Sequence, residues 1–575
     1  MPSGTARPES REAKAQREIG HTEMSAGVAW FLLVAFGLTL AAPPLIQLAR
    51  ELRDPQRSGP PSALALASDW PRVVQTYQHT SGQTADRLLA ANRVLLQSLT
   101  AYERQLADRS WLNQTTLGPT QQVLSHWTGL GNEQVYVGTA HWLYYRPDVD
   151  YLTGPGFLHP AILERRTRAG GTTGPLIAPD PRPAILQFQQ DLARRGISLI
   201  VVPTPNKAAL SPQYLSPQAA LSSRSHASVL TNASYAAFIR DLQAAGVQVF
   251  DPAPLLASQQ TETDTSPCLR TDSHWNPAAV QTVAAGLADV IRQARLLPDR
   301  PPLSLTRRTT SITNLGDTAA LLHLPEAGQH PFRETVDITQ ILDRDQKTVT
   351  SDAAADVLLL GDSYTNIYSL PELRWGTSAG FAEHLLAELQ RPLDWLAQND
   401  GGASGTRHSL VRELAAGSPR LAKKRLVIWQ FAVRDLAGGD WRVIPLPNPT
   451  DSTDAEPPGP TVAASTLVQA TIRAAAGAPV PGSVPYREAL TSLHLVNVTD
   501  QGQPFAHPEI VVYLWGLRDN RVTPAGRLIN GQPVSLRLVP WETVRTQYER
   551  FNRLELDDPE FQLIELPLYW GELVD

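Results

Sequence analysis

Residues 356–365 read DVLLLGDSYT. Val357 to Leu360 is an apolar run with no polar alternation, which predicts a strand buried on both faces. Gly361 allows a tight turn at its end. Asp362 or Ser363 then either caps a following helix or presents a hydroxyl to a cleft. The same kind of run recurs at ISLIVVPTP (197–205), VQVFDP (247–252) and RLVIWQFA (425–432). Between these runs the pattern predicts helices over Pro183–Arg195, Ala233–Ala245, Pro277–Leu296 and Phe381–Leu389. Gly196 and Gly246 stop the first two, and Asn276-Pro277 is a cap followed by proline at the first helical position. Helices alternating with apolar strands predict an α/β domain, a mainly parallel sheet covered on both sides. Ligands of such sheets collect beyond the carboxyl ends of the strands.

The chain has 575 residues, 42% hydrophobic and 18% charged, which suits several globular domains and excludes wholesale disorder. Its 50 Lys and Arg against 56 Asp and Glu leave no basic face for nucleic acid. The lone Cys268 excludes an internal disulfide and a cysteine-built zinc site.

Outside the α/β region the organisation changes. Ser25 to Ala49 carries no charged residue and is long enough for one spanning helix. A cleaved signal peptide, with a site near Leu40-Ala41-Ala42, is the competing reading. Arg7, Arg11, Lys14 and Arg17 precede the segment; Arg50, Arg53 and Arg57 follow it, so charge orients it only slightly. The expected order is a cytoplasmic tail (1–24), a transmembrane anchor (25–49), a helical stem (50–115), the α/β domain (116–444), a linker (445–480) and a carboxyl-terminal β domain (481–575). The stem rests on leucines spaced by three and four in residues 84–112. The linker rests on Pro, Asp, Ser and Thr at 445–460. The last domain, read as sandwich-like, rests on short apolar or alternating runs at 492–500, 509–519, 533–541 and 561–570, with a helix near 542–552. There Trp515, Trp541, Tyr569 and Trp570 form either a sugar platform or core.

A serine hydroxyl is a weak nucleophile and needs a base in reach. Thr271-Asp272-Ser273-His274-Trp275-Asn276 offers one. His274 exchanges a proton near neutral pH, and Asp272 can hold its other ring nitrogen. An Asx turn or a metal pair competes with this reading, but no third and fourth ligands are evident. Lys207 and Arg434, at strand ends, contact either substrate or neighbouring carboxylates. Tyr364 and Trp275 stack on a sugar or pack. Asn399, in a Gly-rich loop, is a candidate second oxyanion donor.

Together GDSYT (361–365) and TDSHWN (271–276) resemble the nucleophile and Asp-x-His motifs of the AlgJ/AlgX alginate O-acetyltransferases. Residues 141–156, VVPTPNKAALSPQYL (201–215) and WQFAVRDL (429–436) are similar to further family segments, so the likeness runs from Val135 to Leu436. The dyad precedes the serine, the circularly permuted order of that family. The resemblance implies an SGNH-hydrolase-like three-layer domain with Ser363 as nucleophile, His274 as general base and acid, and Asp272 as its orienting carboxylate. It implies an acetyl-enzyme without cofactor, a polysaccharide acceptor, and a membrane-bound O-acyltransferase as acetyl donor. It also implies an inner-membrane anchor with the catalytic domain in the periplasm. A carbohydrate O-acetyl esterase with the same triad and a non-catalytic glycan-binding scaffold are the rival readings.

Overall fold

The structure is a computed structural model. It describes residues 25–53, 70–78, 82–169, 177–216, 229–447 and 465–574, less short breaks within them, the longest at 557–562. The chain divides into two units, Met1–Leu117 and Gly118–Asp575.

In the larger unit, Ser198–Thr204 (β1), Gln248–Val249 (β2), Val357–Gly361 (β3), Asp394–Ala397 (β4) and Leu426–Ala432 (β5) form one sheet. Its order is β2-β1-β5-β3-β4 and every pairing is parallel. Every residue of β3 and β5 is buried, as their apolar runs require, with Gln430 of β5 satisfied by side-chain hydrogen bonds. Five main helices cover the sheet: Pro181–Ala193 (α1), Tyr235–Ala244 (α2), Pro277–Gln293 (α3), Phe381–Leu389 (α4) and Gly402–Ala415 (α5). Successive strand residues serve opposite layers. Ile200, Leu359 and Ile428 pack with α3 and α4, while Val201, Leu358, Leu360 and Trp429 pack with α1, α2 and α5. This is the three-layer arrangement that the resemblance implies. The predicted cap is present, since Asn276 accepts from the Ala279 N–H at the start of α3.

The structure also departs from expectation. Only Gln248–Val249 of VQVFDP pairs, because β2 lies at the sheet edge. The other edge strand, β4, and an antiparallel hairpin of Leu305–Leu315 and Arg333–Asp343 gave no apolar run in sequence. The first hairpin strand, LTRRTTSITNL, is mostly polar because its side chains are largely exposed.

The carboxyl-terminal domain is a barrel, not a sandwich. Thr466–Ala475 pairs with Ala489–Asp500 and with Pro533–Pro540. Pro533–Pro540 pairs with Leu568–Leu573, which pairs with Glu509–Arg518, which returns to Ala489–Asp500. The ring of pairings closes, which removes the edges an open sheet would expose. Residues 466–475 belong to this ring, so the stretch expected as linker to residue 480 is shorter; 448–464 lie outside the described residues. Trp541 and Trp570 are buried with Tyr513 and Phe551 in an aromatic cluster on the outer face of the barrel strands, separate from the aliphatic interior of Val512, Leu514, Leu536 and Leu538, and Trp515 and Tyr548 pack against them. Trp515, Trp541 and Trp570 thus pack together, whereas Tyr569, half-buried, packs against Phe505 outside that cluster.

The barrel docks on α5 through charge. Arg412 donates to Glu555 (3.0 Å) and to the Tyr513 hydroxyl. Arg420, buried beside it, pairs with Asp394 at 2.7 Å and Glu413 at 2.9 Å.

In the smaller unit, Ala26–Arg53 is one helix of 28 residues, long and apolar enough to cross a membrane. It runs past Ala49, where the anchor was expected to end. Thr84–Arg109 is helical as the stem pattern predicts, and 54–69 lie outside the described residues.

Replacing Arg420 with Ala leaves two buried carboxylates one cation fewer, with Asp394 keeping Lys424 at 2.9 Å and Glu413 keeping Arg545 at 3.5 Å. We expect a loss of roughly 3 kcal/mol in denaturant unfolding; a loss under about 1 kcal/mol would put this pair among screened surface bridges.

Candidate active site

The carboxyl end of β3 turns sharply at Gly361. A Cβ there would lie 2.2 Å from Thr365 Oγ1, so the turn excludes any other residue unless Thr365 moves. Asp362 follows in an extended conformation and bolts the turn down. Its carboxylate accepts from Tyr364 N (2.8 Å), Gln430 Nε2 (2.9 Å) and Ala432 N (2.8 Å), the last two on β5. Ser363 then opens the single helical turn Ser363–Asn366.

The candidate base, His274, comes from residues 268–276, a tight loop closed by Leu269 N donating to His274 O at 3.0 Å. Lys207, buried under this loop, donates to the carbonyls of Leu269 (3.0 Å), Arg270 (3.2 Å) and Asp272 (2.5 Å). Asp272 Oδ1 meets His274 Nδ1 at 2.6 Å, and His274 Nε2 meets Ser363 Oγ at 2.7 Å, across 89 residues of sequence. The carboxylate at Nδ1 fixes the neutral tautomer, so Nε2 accepts from the serine hydroxyl. The other oxygen of Asp272 accepts from Trp375 Nε1 (2.8 Å) and Asp317 N (3.0 Å).

Asp317 is a second carboxylate that sequence reading missed. Its Oδ2 lies 3.6 Å from His274 Nδ1 and accepts from Ser273 Oγ at 2.5 Å. Its only signal was a Gly-Asp turn at 316–317. Gly316 is needed there, because a Cβ would fall 2.1 Å from Thr271 O. Burial opposes charge on His274, but the Asp272 hydrogen bond and the charges of Asp272 and Asp317 hold its pKa above the ordinary histidine value. Burial also opposes charge on Asp272, yet His274, the Asp317 N–H and Trp375 hold its pKa below the usual range. Burial and the Asp272 charge push Asp317 upward.

These groups line a cleft of about 460 Å³. Ser363, only 8% exposed, sits in its wall with Asn399, Arg434 and Arg374. The other sequence candidates divide. Asn366 Nδ2 donates to Asn399 Oδ1 (3.1 Å), which leaves the Asn399 amide donor for the cleft. Arg434 faces the cleft, but its Nη1 is paired with buried Asp148 at 3.1 Å. Lys207 is no substrate contact, because its three carbonyl bonds consume its donors. Trp275 does not stack on a sugar; it is buried and donates to Tyr364 O at 3.0 Å. Tyr364 is buried too, donating to Ser273 O at 3.1 Å with its ring beside His274. Both aromatics pack because the Asp-His loop and the serine turn meet over them. Val484 and Tyr486, which precede the second barrel strand, also reach the cleft. No local pattern announced them, because only the docking of the barrel brings them there. Among the described residues, the group of potential metal ligands is Asp272, His274 and Asp317. A cation there would compete for Nδ1 with the 2.6 Å hydrogen bond to Asp272.

Asp317→Asn keeps an acceptor for Ser273 but removes one negative charge from beside His274. The His274 pKa then moves down, a shift visible in the ring signals of an NMR titration. An unmoved titration would show that Asp272 alone holds the proton.

A family model described as the SGNH hydrolase-like domain of acetyltransferase AlgX matches residues 135–433, more than half of the chain. A probable alginate O-acetylase AlgJ of Pseudomonas aeruginosa is 27% identical over 262 residues, 43% of this chain and 61% of that protein. Its namesake in Azotobacter vinelandii is 25% identical over 264 residues, 45% and 63% of the two chains. The chain thus spans about three fifths of the length of these curated relatives. Among solved structures, the O-acetyltransferase domain of Pseudomonas putida AlgJ aligns at TM-score 0.39 and 19% identity, covering 56% of this chain and 95% of that one. Pseudomonas aeruginosa AlgX aligns at TM-score 0.35 and 16% identity, covering 70% and 90%.

Proposed function

Because this chain belongs to the AlgX family of SGNH hydrolase-like domains, we propose that it is a polysaccharide O-acetyltransferase working through Ser363, His274 and Asp272. The single observation carrying this reading is the unbroken chain of short hydrogen bonds from Ser363 through His274 to Asp272, at the wall of a cleft. In the first half-reaction Ser363 Oγ attacks the carbonyl carbon of an acetyl donor while His274 Nε2 takes the hydroxyl proton. Asp272 stabilises the imidazolium. The Ser363 N–H, at the start of a helical turn, and the Asn399 amide are the donors nearest to hand for the oxyanion. The carbonyl re-forms, the donor's leaving group departs with the proton from His274, and acetyl-Ser363 remains. In the second half a sugar hydroxyl gives its proton to Nε2, its oxygen attacks the acetyl carbon, and Ser363 Oγ leaves and is reprotonated.

Alginate is the substrate in the relatives' names and comes to this chain only as a candidate acceptor. The apolar helix Ala26–Arg53 supports an inner-membrane anchor with the catalytic domain on the periplasmic side. There a membrane-bound O-acyltransferase would supply the acetyl group. No cofactor enters this scheme.

The test uses an activated acetyl ester with and without oligosaccharides. We expect Ser363→Ala to lower acetyl transfer by about 10⁶-fold and Asp272→Asn by about 10⁴-fold. Acetylated sugar that depends on Ser363 supports the transferase; serine-dependent acetate release with every acceptor refused makes the protein an esterase; turnover indifferent to Ser363 sinks both. His274 must be neutral to act as base, and its pKa is raised. The acid limb of kcat/KM therefore lies above the ordinary histidine value, and in Asp317→Asn it moves to lower pH.

A further inference from the structure

The cleft that holds Ser363 has two arginines in its lining, Arg374 and Arg434. They differ in what surrounds them. Arg434 is paired with buried Asp148 at 3.1 Å, lies over the rings of Tyr145 and Tyr364 and stands beside Asp435, so its charge is matched within the protein. The Arg374 guanidinium is exposed and has no hydrogen-bond, ion-pair or ring partner among the described residues. The other carboxylates of the cleft are engaged elsewhere. Asp272 serves His274 and Trp375, Asp317 accepts from Ser273, and Asp362 is held in the turn before Ser363.

The backbone that carries Arg374 is fixed. Its φ of +62° lies in the left-handed region that favours glycine, at the end of the single turn Pro371–Leu373. Three bonds hold this kink. Arg374 N donates to Pro371 O at 3.0 Å, Asn314 Nδ2 to Leu373 O at 3.3 Å, and Trp375 Nε1 to Asp272 at 2.8 Å. The chain passes here from the cleft wall, Leu373 and Arg374, to the interior, where Trp375 is buried. An arginine in a strained kink, next to the residue that holds the Asp272 carboxylate, is carried at a set place relative to Asp272, His274 and Ser363.

We propose that Arg374 is the specificity-determining residue for the acceptor: its guanidinium takes the carboxylate of a uronate unit and turns that sugar's free ring hydroxyls toward Ser363 and His274. The proposal rests on the reading of the cleft as a sugar O-acetylation site and names the acceptor class, a polyuronate, with the residue that selects it. A guanidinium meets a carboxylate with two parallel N–H donors in charge-assisted bonds, and it is weakly hydrated, so little is lost when water leaves it. A uronate bears its carboxylate on C5. In a 1,4-linked chain its free hydroxyls are on C2 and C3, at the opposite edge of the ring. Holding the carboxylate leaves those hydroxyls pointing away from Arg374, into the cleft. A neutral hexose has a hydroxymethyl group at the same place and offers the guanidinium only an uncharged acceptor, in a weaker bond. Arg374 thus meets the acceptor away from the reacting atoms.

Binding tests this without turnover. The full-length chain in detergent, with no acetyl donor present, is titrated with β-1,4-linked hexamannuronate and with mannohexaose, the same chain with a hydroxymethyl group for each carboxylate. We expect hexamannuronate to bind about 10-fold more tightly, a preference that shrinks with added salt. Arg374→Gln should weaken hexamannuronate by about 10-fold and mannohexaose by less than about 2-fold, so that the preference disappears. Glutamine keeps a Cβ in the kink, and thermal unfolding verifies that the fold is retained. Should this variant unfold, Arg374→Lys replaces it and must also reduce the preference, because an ammonium keeps the charge but not the fork. A merely structural role would weaken both sugars alike. The proposal is overturned by that result, by equal binding of the two sugars to the unsubstituted protein, or by no binding of hexamannuronate. Acetate release from an activated ester by the unsubstituted protein, measured separately, reports on the acetyltransferase reading: its absence beside an Arg374-dependent preference for the uronate would remove the chemistry and leave the acceptor class standing.

Discussion

The site hangs on the Asp362 carboxylate. One residue before the serine, it accepts two main-chain N–H groups and the Gln430 amide, and it thereby ties the turn after β3 to the end of β5. Gln430 in turn donates to Thr204 Oγ1 of β1 at 3.0 Å and accepts from Thr365 Oγ1 at 2.8 Å. Three neighbouring strand ends are therefore held in one buried polar network, where each unmade bond would carry a desolvation penalty. Ser363 inherits its position from that network. A serine fixed this way keeps its Oγ in reach of His274 without relying on a flexible loop.

His274 is fixed by different means. The loop carrying Asp272 and His274 belongs to no strand, and its main-chain carbonyls would be orphaned beneath it. Lys207 satisfies three of them from the carboxyl end of β1. Burial pushes the Lys207 pKa down, and the surrounding acidic groups oppose that. The residue that looked like a ligand for substrate is thus the floor of the Asp-His loop. Trp375 and the Asp317 N–H complete the surroundings of Asp272 from the other side. Ser363 and His274 are thus held largely by residues buried behind the cleft wall, Gln430, Lys207 and Trp375.

Much of this was legible in one dimension. The strands at 198–204, 357–361 and 426–432 were readable because burial on both faces demands unbroken apolar runs, and the helices because their caps and stops are local. Ser363, His274 and Asp272 were readable because their motifs occupy element boundaries. The edge strand β4 and the exposed hairpin were not, since a half-exposed strand carries no such run; of VQVFDP, which was, only two residues pair. Nor could sequence separate Trp275 and Tyr364 as packing from the same residues as stacking, because an aromatic next to a motif looks alike in both roles.

What the sequence by itself determined is the periodicity, the turn chemistry and the identity of the motif residues, all of which depend on neighbours within a few positions. Tertiary structure decided what is near what. It alone brought Asp317 to His274, set Lys207 under the loop, paired Arg434 with Asp148, closed the last strands into a barrel and carried Tyr486 to the cleft. Each of these contacts joins segments far apart in the chain. Their pairing is fixed by the packing of whole layers, and a local pattern holds no record of it.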